Sequence, residues 1–262
     1  MEKIKHRINR LKSITRRLVF TFFYFMLSHH RIIRRLKSYG ISDIKIYKFR
    51  KWNIGSKRKK MSFKKMRFYY KARYNNSACF IKMGNNNSTS NEITINKYLD
   101  RCSMDFIPSL LLSDEDFSKS TVLIVTEYIS NLKKIKVPDD IEGFRQICTE
   151  LEVIHEKLMA HNIIHGDLSD SNLSMTKDNR IMLIDFGYGW IPGMNKNTFL
   201  RTIYKKTSNA NVYCNAHNFL RVLDEIGTPD NFKQEECYKR LERLVGLHTL
   251  AVPIAEGDEN NS

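Results

Sequence analysis

The stretch that decides the fold is Asn162–Trp190, NIIHGDLSDSNLSMTKDNRIMLIDFGYGW. It carries two short signatures. His165-Gly166-Asp167 is followed, five residues after the Asp, by Asn172. Asp185-Phe186-Gly187 comes thirteen residues after that Asn, behind the apolar run Ile181-Met182-Leu183-Ile184. Lys177-Asp178-Asn179-Arg180 reads as a tight polar turn between two short strands. A hairpin of that kind brings Asp167, Asn172 and Asp185 to one edge. Two carboxylates and one amide oxygen are hard ligands, suited to Mg²⁺ and a phosphate chain rather than to zinc. The bland alternative is a solvated turn with incidental acids.

The paired signatures resemble the catalytic and magnesium loops of the protein-kinase-like superfamily, H-x-D-x-x-x-x-N followed by D-F-G. The resemblance covers about residues 41–225 and implies an α+β, two-lobed fold with a small antiparallel-sheet N-lobe and a mainly helical C-lobe. It also implies ATP and Mg²⁺ as cofactors. On this resemblance Asp167 is the catalytic residue that orients and deprotonates an acceptor hydroxyl, while Asn172 and Asp185 hold the metal. Cys79-Phe80-Ile81-Lys82 stands where the family places V-A-I-K, so Lys82 would contact the α- and β-phosphates. The following helix would supply Glu92 as the partner of Lys82, with Ser90 or Asn91 as its N-cap and Ile95 and Leu99 at helical spacing. Thr121 to Ile129 reads as a buried strand by its length and branching. In the resemblance it leads into a hinge whose backbone, from Glu127 to Ile129, hydrogen-bonds adenine. Lys82 as a solvent-facing strand lysine and Glu92 as an ordinary first-turn acid remain the alternatives.

Around this centre the chain reads in short alternating segments from Ile41 onward. Ile44–Phe49, Arg67–Ala72 and Ala78–Lys82 are strand candidates, with Asn75-Asn76 and Met83-Gly84-Asn85-Asn86 as turns. A glycine-rich phosphate loop is missing in its usual form: only Gly55 falls in that region, beside the basic run Lys57-Arg58-Lys59-Lys60. Pro138-Asp139-Asp140 opens a second lobe, whose first long helix runs near Ile141–Ala160 with Phe144, Ile147, Leu151, Ile154 and Leu158 along one side. His155 falls on or beside that stripe and reads as a core histidine. His165, in the resemblance, braces the catalytic loop rather than moving protons.

The charge is lopsided. Residues 1–73 hold 24 Lys and Arg against two acids, Glu2 and Asp43, a net of +22 in a chain whose total is +16. Residues 1–40 read as a basic amphipathic helical extension, with Ile4, Ile8, Leu11, Ile14 and Leu18 as an apolar stripe. The uncharged run Leu18–Leu27 would reach only about 15 Å as a helix, half a bilayer core, so it is not expected to span a membrane. Basic residues on both sides and no small-residue cleavage site argue against a signal peptide. Three readings stay open for this helix: lying on an anionic membrane surface, packing on its own domain, or facing nucleic-acid phosphates. No named nucleic-acid motif is present, so no specific nucleic acid is expected. Cys79, Cys102, Cys148, Cys214 and Cys237 form no C-x-x-C pair and read as buried thiols of a reducing compartment.

Departures from the family narrow the function. Gly166 replaces the Arg of H-R-D, Ser169 stands where many protein kinases carry Lys, and no A-P-E follows Gly187. H-G-D and D-L-S-D-S-N resemble RIO-type atypical kinases, and the compact size with a basic N-terminal helix resembles bacterial lipopolysaccharide-core and related glycan kinases. The organisation read from the sequence is a helical extension over 1–40, an N-lobe over 41–130, a C-lobe over 131–254 and a polar, disordered tail over 255–262. The expected activity is transfer of the γ-phosphate of ATP to an alcohol, a sugar of a lipid-linked glycan being the preferred acceptor. The expected place of action is the cytoplasm, peripheral on the inner face of an anionic membrane. The runners-up are an atypical Ser/Thr protein kinase and a nucleotide-binding pseudokinase scaffold.

Overall fold

The computed structural model describes residues 29–49, 68–84, 87–118, 121–194 and 210–247. Residues 1–28, 50–67 (with Gly55 and Lys57 to Lys60), 85–86, 119–120, 195–209 and 248–262 lie outside the described residues. Two lobes form an α+β arrangement. The first is a five-stranded antiparallel sheet in the order β1 (Ser42–Phe49), β2 (Phe68–Tyr74), β3 (Ser77–Gly84), β5 (Thr121–Glu127), β4 (Leu110–Ser118). Helix α1, residues 29–38, precedes β1, and α2 (Asn87–Arg101) follows β3.

The β2–β3 hairpin closes through Asn75 and Asn76, both with positive φ (48° and 64°), as a two-residue turn between right-twisted strands requires. Met83 and Gly84 extend β3 rather than turning, because each has a pairing partner on β5. Period-two alternation then sorts the side chains. Tyr70, Ala72, Cys79, Ile81, Met83, Leu123 and Val125 fill one face, where Leu36 and Ile41 close over them with Ile32 and Ile33. So α1, the described end of the basic extension, packs on its own domain, while Arg31, Arg34 and Lys37 stay exposed. The opposite face carries Phe80, Lys82, Val122 and Ile124, and Ile93 of α2 packs against the last two.

In the second lobe α3 (Ile141–Ala160) is capped by Asp140, whose Oδ1 accepts from the Gly143 amide at 2.7 Å. Its buried side, including His155, meets α4 (Asn215–Glu225) and α6 (Glu236–Leu247), with the short α5 (Asp230–Lys233) between them. Strands β7 (Leu173–Met175) and β8 (Ile181–Leu183) form the hairpin expected from the sequence, turning through Asn179 at φ 58°. A further two-residue strand, β6 (Lys133–Lys134), pairs with β7. Among the described residues no helix is long and apolar enough to cross a membrane.

Candidate active site

Lys82 projects from the α2-side face of β3, where it is only 4% exposed. A buried ammonium must be paired. Lys82 Nζ donates to Glu92 of α2 and, at 2.7 Å, to Oδ1 of Asp185 beyond β8. Burial alone would lower the Lys82 pKa; the Glu92 and Asp185 carboxylates outweigh it and raise the pKa, so the group stays charged. The solvent-facing lysine is therefore not what the structure shows. Helix α2 begins at Asn87, earlier than the Ser90 or Asn91 cap the sequence suggests, so Glu92 lies in the second turn and is not a first-turn acid. Its role comes from Lys82 rather than from the helix dipole.

Asp185 adopts the left-handed conformation, φ 65° and ψ 62°, which ends β8 and turns the chain into the short 3₁₀ turn Phe186–Tyr188. Gly187 lets this turn lie close to α2: an added Cβ would sit 3.1 Å from Asp185 Oδ1 and 3.2 Å from the Ser88 carbonyl.

The loop bearing Asp167 is fixed from below. His165 is wholly buried, and its Nε2 donates to the Ile184 carbonyl at 3.0 Å while Nδ1 accepts from the Asp167 amide at 3.4 Å. A carbonyl can only accept, so these partners assign the neutral Nε2–H tautomer. The ring lies 4.4 Å from that of Phe186. Asn172 donates its Nδ2 to the Asp167 carbonyl at 2.7 Å and accepts the Ile184 amide on its own carbonyl at 3.0 Å. Asp167, Asn172 and the residue before Asp185 are thus linked by direct hydrogen bonds. With Nδ2 so engaged, the side-chain oxygen Oδ1 is the Asn172 atom that could ligate a cation.

Two supports were not legible in the sequence. Buried Asn215, at the start of α4, accepts from the His165 amide at 3.0 Å and donates to the Ile163 carbonyl at 2.6 Å. Arg221, further along α4, donates to the Leu168 carbonyl. An asparagine on the apolar side of a helix that buries Ala216 and Phe219 was the available signal. At the hinge, the Glu127 amide donates to Ser109 O at 2.9 Å and the Tyr128 amide to Ala78 O at 3.1 Å. Those two amides are engaged by the sheet, which assigns any base recognition there to carbonyls and to Ile129.

Burial holds the His165 pKa down at about 4, with the Ile184 carbonyl offsetting part of the shift. The unfolded imidazole, near 6.5, binds a proton first as pH falls. Its contribution to stability is therefore full above about pH 6.5 and is lost progressively down to about pH 4. The loss amounts to about 3 kcal/mol. Urea unfolding of wild type and His165→Gln should show this acid slope in the former and a shallower one in the latter; equal slopes would contradict a neutral buried imidazole.

The donor set fits a hard divalent cation. Among the described residues no cluster of three His, Cys, Asp or Glu forms, so a metal here would rest on carboxylate and amide oxygens together.

Comparison with known proteins gives two findings. Residues 88–214 match the profile of the ABC1 atypical kinase-like domain, a stretch that runs from α2 past Asp167, Asn172 and Asp185 but begins after Lys82. Over 174 residues the chain is 24% identical to the serine/threonine-protein kinase ssp1 of Schizosaccharomyces pombe (strain 972 / ATCC 24843). That match takes in 62% of this chain and 23% of the yeast protein, so the chain corresponds to less than a quarter of that relative. The matched profile is that of ABC1 domains; the resemblance to glycan and RIO-type kinases rests on the motifs alone.

Proposed function

We propose that this chain is a protein-kinase-like enzyme, an ATP- and Mg²⁺-dependent phosphotransferase acting on an alcohol hydroxyl, a reading supported by the match to the ABC1 atypical kinase-like domain and the similarity to a kinase. One observation carries the reading: Lys82, Glu92 and Asp185 form a charged knot between the lobes, and the Asp167–Asn172 pair is hydrogen-bonded to the residue preceding Asp185. Phosphoryl transfer asks little covalent chemistry of a protein; it needs alignment and charge neutralisation. Lys82 would fix the donor phosphates. Asn172 Oδ1 and the Asp185 carboxylate would hold Mg²⁺, whose contribution is to neutralise charge on the transferring group. Asp167 would orient the acceptor hydroxyl and take its proton. The Glu127 carbonyl and the Ile129 backbone would receive the base.

For the acceptor we favour a sugar hydroxyl of a lipid-linked glycan such as a lipopolysaccharide core. The support is the charge distribution: a net of +22 over residues 1–73 suits a peripheral position on an anionic cytoplasmic membrane face, where each basic residue near the surface contributes about 1 kcal/mol. A serine or threonine of a protein is the second reading, favoured by the similarity to a serine/threonine-protein kinase. A scaffold without turnover is disfavoured by retention of Asp167, Asn172 and Asp185 together with Lys82.

The test is transfer of radiolabel from γ-labelled ATP with Mg²⁺ to membrane lipid extracts and, separately, to protein substrates. Label in the glycolipid fraction is expected. Label in protein alone would replace the first acceptor with the second. No label in either, with Mg-ATP still raising the melting temperature, would leave the scaffold.

A further inference from the structure

Glu92 reaches Lys82 only while α2 stays pressed toward the cleft, and the residue just before it shows how that is achieved. Asn91 donates its Nδ2 to the Gly187 carbonyl at 3.2 Å and to the Gly189 carbonyl at 2.9 Å. One side-chain amide thus joins the turn of α2 that carries Glu92 to the backbone two and four residues beyond Asp185. The surfaces it joins lie in close contact: a Cβ added at Gly189 would come 2.6 Å from Ile95 Cδ1 on the next turn of α2. The far side of this segment is fixed too, since Ile164 and Trp190 exchange both backbone hydrogen bonds, at 2.9 and 2.8 Å.

We propose that Asn91 is a positioning residue, a built-in latch that keeps Glu92 on Lys82 without a phosphorylated loop. The Arg of H-R-D that would receive such a loop is absent: Gly166 stands in its place, and a Cβ there would meet the Tyr188 carbonyl oxygen at 2.0 Å. The catalytic consequence of the latch rests on the phosphotransferase reading above; its geometry does not.

Asn91→Asp is nearly isosteric, but an ionised carboxylate has no N–H to donate and sets negative charge against two carbonyl oxygens. At pH 8 the variant should lose about 30-fold in kcat/KM for ATP. Amide hydrogen exchange should quicken over residues 89–96 and 185–190 while the rest of the chain exchanges as in wild type. Asn91→Ala, which removes the donor without adding charge, should show the same loss. Phosphatase treatment of the wild type should leave its turnover unchanged. The latch is overturned if exchange over both segments and kcat/KM stay at wild-type values in the two variants. It is equally overturned if exchange rises uniformly over the whole chain, as simple destabilisation would give. If the wild type turns over no acceptor, the proposed function falls, and the exchange experiment still decides the latch.

Discussion

Asp185→Asn is expected to abolish Mg²⁺-dependent nucleotide binding, while Asp167→Asn keeps that binding and loses turnover by about 10³-fold. The two acids differ because their surroundings differ. Asp185 is the carboxylate that completes the knot with Lys82 and Glu92. Replacing it by an amide removes the charged oxygen available to a cation, yet Lys82 keeps Glu92, so the buried ammonium is not stranded and the fold should survive. Asp167 holds no part of that knot; its backbone is positioned by His165 and Asn172. An asparagine there preserves the loop and removes only the group that would take the acceptor's proton. Titration calorimetry with and without Mg²⁺, beside single-turnover assays, separates the two. Wild-type turnover in Asp167→Asn, or wild-type Mg-ATP affinity in Asp185→Asn, would remove the assigned role.

How far the sequence reached follows from the range of the interactions. Local rules placed α3 at Ile141–Ala160, because a five-residue apolar stripe follows Pro138-Asp139-Asp140. They placed the Asn75-Asn76 turn for the same kind of reason, two residues tolerant of positive φ between alternating strands. They failed at the start of α2, where Asn87 to Asn91 (N-S-T-S-N) offers a cap at almost every position and nothing local selects among them. The two-residue β6 was beyond any periodicity argument, since its pairing with β7 is a tertiary event.

The candidate site divides in the same way. The residues read as chemical, Lys82, Glu92, Asp167, Asn172 and Asp185, were legible because their spacing is characteristic. The residues that hold them were not. Asn91 reaches carbonyls 96 and 98 residues away, and Asn215 spans 50 and 52. A side chain bonded to distant backbone leaves no pattern, because any backbone can accept. The end of the basic extension adds a further case: Ile32, Ile33 and Leu36 lie on the sheet, while the stripe from Ile4 to Leu18 lies outside the described residues. A stripe shows that a face is buried, not against what.

Gly166→Ala should be among the most damaging single substitutions in the chain, although it adds one methyl group. Gly166 has φ +78°, and a Cβ there would lie 2.0 Å from the Tyr188 carbonyl oxygen and 2.7 Å from its carbon. Neither atom can yield readily, because the residues on either side are bonded: Gly189 donates to Phe186 O at 2.9 Å and Trp190 is paired with Ile164. The left-handed conformation alone costs an alanine about 1 kcal/mol. Displacing the Asp167 loop from the 186–190 turn raises the expected loss to about 4 kcal/mol, or roughly 10 °C in melting temperature. Gly193→Ala supplies the comparison, since Gly193 has φ +74° but nothing within 4 Å of an added Cβ, so it should lose only the conformational part. Differential scanning calorimetry of the two variants isolates the contact. If they melt together, the Tyr188 carbonyl does not press on Gly166, and the close approach of the Gly166 loop to the 186–190 turn is wrong.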